Sequence, residues 1–121
     1  YRHPSAEDIR RSKQRLETRA HLRPNAFARH VALGNIYFIS RHFDRAAVDY
    51  GKALEQPGRQ SASEEELRHV YLRLALSFYA SGQEEEAVRS LEAFVPENMR
   101  TADIKTILEN ALQQALNGVD L

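Results

Sequence analysis

An internal repetition constrains this chain more than any other feature. Leu33-Gly34-x-x-Tyr37, followed by Phe43, Ala46, Tyr50 and Ala53, is answered forty-one residues later by Leu74-Ala75-x-x-Phe78, followed by Ala87, Leu91 and Ala93-Phe94. Large and small apolar residues that recur at a fixed period mark a stack of helical units, each burying its face against the next. No segment alternates apolar and polar residues between hairpin turns, so the expected fold class is all-α. Stacks of this kind are usually docking surfaces and carry no chemistry of their own.

Six helices are expected. Ser5 can cap the first, with Glu7 and Asp8 at its positive end, and that helix reaches about His21 before Pro24. Its apolar content is thin (Ile9, Leu16, Ala20, Leu22), which predicts a weakly buried helix. The second helix spans about Asn25 to Ser40 and the third about Phe43 to Glu55, joined by a turn at Arg41-His42 that only a hairpin can use. Gln56-Pro57-Gly58 breaks the chain and Arg59 to Ala62 reads as a polar loop. Ser63 and Glu66 form a capping box for a fourth helix to about Ala80. Ser81-Gly82 turns into a fifth, from about Gln83 to Val95, which Pro96 ends. Thr101 is expected to cap a sixth helix, whose stripe of Ile104, Ile107, Leu108, Ala111, Leu112, Ala115 and Leu116 stops at Asn117-Gly118.

Composition narrows the class. The 121 residues are enough for one domain, and no run of about 18 apolar residues is present to span a bilayer. With no cysteine there are no disulfides or thiolate metal sites, and the compartment stays open between cytoplasm and periplasm. The chain starts at Tyr1 and its only methionine is Met99, as expected of a soluble segment of a larger protein. Net charge is zero but uneven. Arg2, Arg10, Arg11, Lys13, Arg15, Arg19, Arg23 and Arg29 crowd the first thirty residues against Glu7, Asp8 and Glu17, whereas residues 61–99 hold eight glutamates against Arg68, Arg73 and Arg89. Two solvated faces account for this, and so does a basic end that meets an acidic partner or another copy.

Residues 27–58 resemble a tetratricopeptide repeat. The family's small positions fall on Gly34, Ala46 and Ala53, and its large positions on Leu33, Tyr37, Phe43 and Tyr50. His30 stands where tryptophan or leucine is usual, and Pro57 comes one residue early. A second copy counted from Arg68 keeps Tyr71, Leu74, Ala75, Phe78, Gly82, Ala87 and Leu91, and departs at Glu84, Phe94 and Pro96. The resemblance implies a right-handed solenoid of antiparallel hairpins: a basic helix in 1–24 (a half-repeat), repeats at 25–58 and 63–100, and a capping helix in 101–121.

It also implies a scaffold or protein-interaction module that holds a helix or extended segment of a partner in a groove. The groove positions map onto Ala28, Val31, Asn35 and Phe38, then His69, Leu72, Arg73, Leu76 and Tyr79. Tyr37, Phe38 and Ile39 stand side by side, and one helical turn cannot bury all three against its own repeat. Either flanking helices cover them or they line an apolar groove. A chaperone-tail clamp would use Asn35, but Val31 takes a place where lysine is expected. His3, His21, His30, His42 and His69 show no metal-site or acid–base pattern, and there is no phosphate loop or nucleophile elbow, so no catalysis, metal or cofactor is expected. Nucleic-acid binding along Arg10, Arg11, Lys13, Arg15 and Arg19 is the alternative, although no aromatic is interleaved for stacking. Self-association through an unpaired first helix is a further expectation. Arginine outnumbers lysine fourteen to three, which suggests a GC-rich bacterial source, and for such a source the tetratricopeptide resemblance implies an envelope, secretion or exopolysaccharide assembly.

Overall fold

The computed structural model describes residues 5–92, 95 and 97–117. Among these the chain forms α1 (Ala6–His21), α2 (Ala26–Ile39), α3 (Phe43–Glu55), a 3-10 turn (Pro57–Ser61), α4 (Glu64–Ala80), α5 (Glu84–Leu91) and α6 (Thr101–Leu116), with no strand. The protein is all-α. The departures noted at Phe94 and Pro96, and the stop at Gly118, lie outside the described residues.

Helix starts follow the sequence at three places. Ser5 and Asp8 close a capping box on α1, the Ser5 Oγ accepting from the Asp8 N–H at 3.1 Å. Ser63 and Glu66 do the same on α4. Asn25 Oδ1 accepts from the N–H of Phe27 at 2.9 Å and starts α2. Thr101 does not cap α6. It is the first helical residue, Arg100 takes the cap position, and no side-chain cap bond forms.

α2 and α4 end in the same device. The N–H of Arg41 bonds the Phe38 carbonyl and that of His42 bonds Tyr37, at 3.0 and 2.8 Å. One period later the Gly82 N–H bonds Tyr79 and Gln83 bonds Phe78, at 3.1 and 2.8 Å. This is the Schellman pattern, which needs a left-handed residue just past the helix. Gly82 adopts it at φ 82° without penalty, and Arg41 adopts it at φ 63° despite its side chain.

Two further expectations are corrected. The segment read as a polar loop winds into the 3-10 turn, with Pro57 supplying a helical φ at its first position, and it packs on α2 and α3. The fifth helix ends at Leu91, four residues short of Val95. Proline has no N–H to donate and disfavours helical backbone at the residue before it, and Val95, which precedes one in the sequence, is a bend outside the helix.

α2 packs on α3, α3 on α4, α4 on α5, and α6 against α4 and α5, while α1 lies on α2 alone among its larger contacts. Ala46, Ala53, Ala75 and Ala87 have no exposed surface and let neighbouring helices approach. Tyr50 is fully buried over Gly34. Ala20 is the one buried residue of α1, and that helix is as lightly held as its composition predicts.

Candidate functional site

The adjacent Tyr37, Phe38 and Ile39 divide three ways. Tyr37 is covered by α1 and α3: its hydroxyl donates to Glu17 Oε2 at 3.5 Å and accepts from Arg45 at 2.8 Å. The Arg45 guanidinium and the Lys13 ammonium lie 4.1 and 5.6 Å from its ring centroid. Burial, then the Glu17 carboxylate, push its phenol up from the usual range. Phe38 is 3% exposed, edge-to-face with Phe43 at 5.4 Å and under the Arg73 guanidinium at 5.0 Å. Ile39 is left 63% exposed.

Arg73 is the most unusual residue of the interior, at 5% exposure. Its Nη1 donates to Asn35 Oδ1 at 2.8 Å and to the Tyr50 hydroxyl at 3.4 Å, and Tyr50 also donates to Asn35. No carboxylate lies within salt-bridge distance of it among the described residues. Amide oxygen, hydroxyl and ring face together replace a counter-ion. Burial pushes the Tyr50 phenol up to about 12, against a smaller opposing pull from Arg73.

Of the residues expected in a groove, then, Phe38, Arg73 and Leu76 are buried, and Asn35 turns its amide oxygen inward to Arg73. Val31 and Asn35 share a shallow depression of about 290 Å³ beside the 3-10 turn. Val31 and His69 share a second, of about 450 Å³, at the start of α4. Partial burial, then the Arg73 guanidinium one turn away, hold the His69 imidazole below the usual range. Leu72 is exposed, and Tyr79 is half-buried against the core. Asp49 and His30 meet at 3.1 Å between α3 and α2.

The more apolar concavity lies elsewhere, between α1 and α2. It encloses about 460 Å³, and its walls are Ile9 and Leu16 from α1 with Ile36 and Ile39 from α2, joined by Lys13 and Asn35. Ile9 and Leu16 are 57% and 49% exposed. Helix spacing explains the convergence, because residues seven apart return to one face of α1 and residues three apart share one face of α2. The sequence carried part of this signal in Ile39, the third member of a triplet that could not all be buried against its own repeat. It could not show that α1 lies beside that residue.

Among the described residues no three histidine, aspartate or glutamate side chains are grouped to hold a metal ion, and no helix is long and apolar enough to cross a membrane. Compared with known proteins, the chain matches no family model, no curated protein and no solved structure.

Proposed function

We propose that this chain is a non-catalytic interaction module that holds a segment of a partner protein. In this reading α2–α3 and α4–α5 are tetratricopeptide-type hairpins, stacked right-handed between the basic α1 and the capping α6. The repeated Schellman turns, one period apart, and the close approach of Gly34 to Tyr50 support that assignment. The observation that carries the function is the apolar α1–α2 groove, where Ile9, Leu16 and Ile39 stay exposed beside Ile36. Contiguous aliphatic surface of this kind is what a partner helix or extended segment covers. In the repeat frame α1 is the second helix of a half-repeat, and the groove is where a first helix would lie. A place in a larger bacterial envelope, secretion or exopolysaccharide assembly accords with this reading.

The test must leave the interior alone. Phe38→Asp or Arg73→Glu would bury an unpaired carboxylate and confuse unfolding with lost binding. Ile39→Asp changes an exposed position, so helical circular dichroism should stay as in the wild type. A displayed library of helical and extended peptides, selected on the wild-type chain, should yield sequences that bind Ile39→Asp at least about tenfold more weakly, about 1.4 kcal/mol. Selection that yields only ligands indifferent to Ile39→Asp rejects the groove.

A further inference from the structure

The polar rim of the groove narrows what can occupy it. On α1 the carboxylates hold local partners but keep their charge, and one of them, Asp8, lines the groove. Glu7 pairs with Arg10 at 2.6 Å and Arg11 at 3.4 Å, Asp8 completes the Ser5 cap, and Glu17 accepts from Tyr37. Arg15 and Arg19 have no carboxylate within salt-bridge distance among the described residues. Arg15 follows groove-lining Ser12 by three residues, and Arg19 follows Leu16 by three, which sets both along the outer edge of the groove. Being four apart, they also form one row. Lys13 adds positive charge on the groove wall, so that Lys13, Arg15 and Arg19 outweigh the single groove carboxylate among the described residues, Asp8.

The floor sets the shape. Ile9 and Leu16 are seven residues apart, about 10 Å along the helix, which matches two turns of a second helix laid alongside. Resting on the proposed interaction function, we infer that the groove takes a partner's amphipathic helix whose apolar stripe is flanked by aspartate and glutamate. A second copy of this chain fits less well. Val48, Leu72 and Ile107 are its exposed large aliphatic residues on α3, α4 and α6, one to a helix, so none of these offers a two-turn stripe. α1 of another copy does offer one, but it would lay Arg15 and Arg19 against themselves. A nucleic acid would use the arginines and leave the aliphatic floor exposed.

The experiment compares two peptides of about 18 residues, five turns, with the same leucine stripe and either glutamate or lysine flanks, by fluorescence anisotropy. The glutamate peptide should bind roughly tenfold more tightly at low ionic strength, with the margin shrinking as salt rises. Arg15→Glu with Arg19→Glu should reverse the preference, and Ile39→Asp should weaken both peptides. Equal binding of the two peptides, still lost on Ile39→Asp, keeps the groove and overturns the acidic partner. Binding untouched by Ile39→Asp overturns both. The inference also falls if sedimentation shows a concentration-dependent mass that Leu16→Asp abolishes, or if an oligonucleotide binds through Arg15 and Arg19 and is indifferent to Ile39→Asp.

Discussion

A Cβ built on Gly34 would lie 2.7 Å from both Cδ1 and Cε1 of Tyr50, whose ring has no exposed surface into which to retreat. Alanine at this helical position would gain about 1 kcal/mol of propensity over glycine. Overpacking a closed interior costs about 1–3 kcal/mol, so the clash wins. Gly34→Ala is therefore expected to lower stability, by up to about 2 kcal/mol, in a denaturant titration. A variant as stable as the wild type would show that the Tyr50 ring yields. The same ring holds the interior's charge in place: Tyr50, Asn35 and Phe38 give Arg73 its hydrogen bonds and ring face. Asn35, which the repeat resemblance would set toward a partner, spends its amide oxygen on the protein itself.

At the scale of elements, the paired turns differ in one respect. Gly82 takes the left-handed position freely, whereas Arg41 carries a side chain there, a strain of about 1–2 kcal/mol. Arg41 offsets part of it by donating from Nη2 to the Leu116 carbonyl at 2.8 Å, tying the α2–α3 turn to the end of α6. The bond is exposed and worth about 0.5–1.5 kcal/mol. Arg41→Gly should raise the thermal midpoint by a few degrees or leave it level, while amide exchange in the last turn of α6 quickens. A clear drop in midpoint would show that the tether outweighs the strain. α6 is further held to α5 by Lys105 and Glu84 at 2.9 Å, which should keep its first turns protected.

For the whole molecule, the buried tyrosine couples stability to pH. Tyr50 titrates at about 12 in the fold and near 10 in the unfolded chain. Below pH 10 both states hold the proton and its stabilisation is complete. Between about pH 10 and 12 the unfolded chain releases the proton first, so stability falls as pH rises. Two units correspond to roughly 2–3 kcal/mol. Tyr37 is raised as well, so the informative quantity is the difference between the wild type and Tyr50→Phe. Unfolding measured from pH 9 to 12 should show the wild type losing stability faster; parallel curves would mean that Tyr50 ionises without strain. At neutral pH Tyr50→Phe should itself cost about 1–2 kcal/mol, because Asn35 and Arg73 lose a partner.

Local chemistry was enough to place most of the helices. Caps at Ser5, Asn25 and Ser63, glycine at 82 and the spacing of apolar residues act within one or two turns, so they are legible in one chain. Tyr37, Phe38 and Ile39 showed only that their own repeat could not bury all three, and left open whether flanking helices cover them. Their fates depended on neighbours far along the chain: Glu17 and Lys13 over Tyr37, Arg73 over Phe38, and nothing over Ile39 but the open side of α1. Sequence spacing told which residues share a helix face. Only the packing of one helix on another decided that Arg73 lies inside, where an amide, a hydroxyl and a ring can solvate it, and that Ile9 and Ile39 line the same groove.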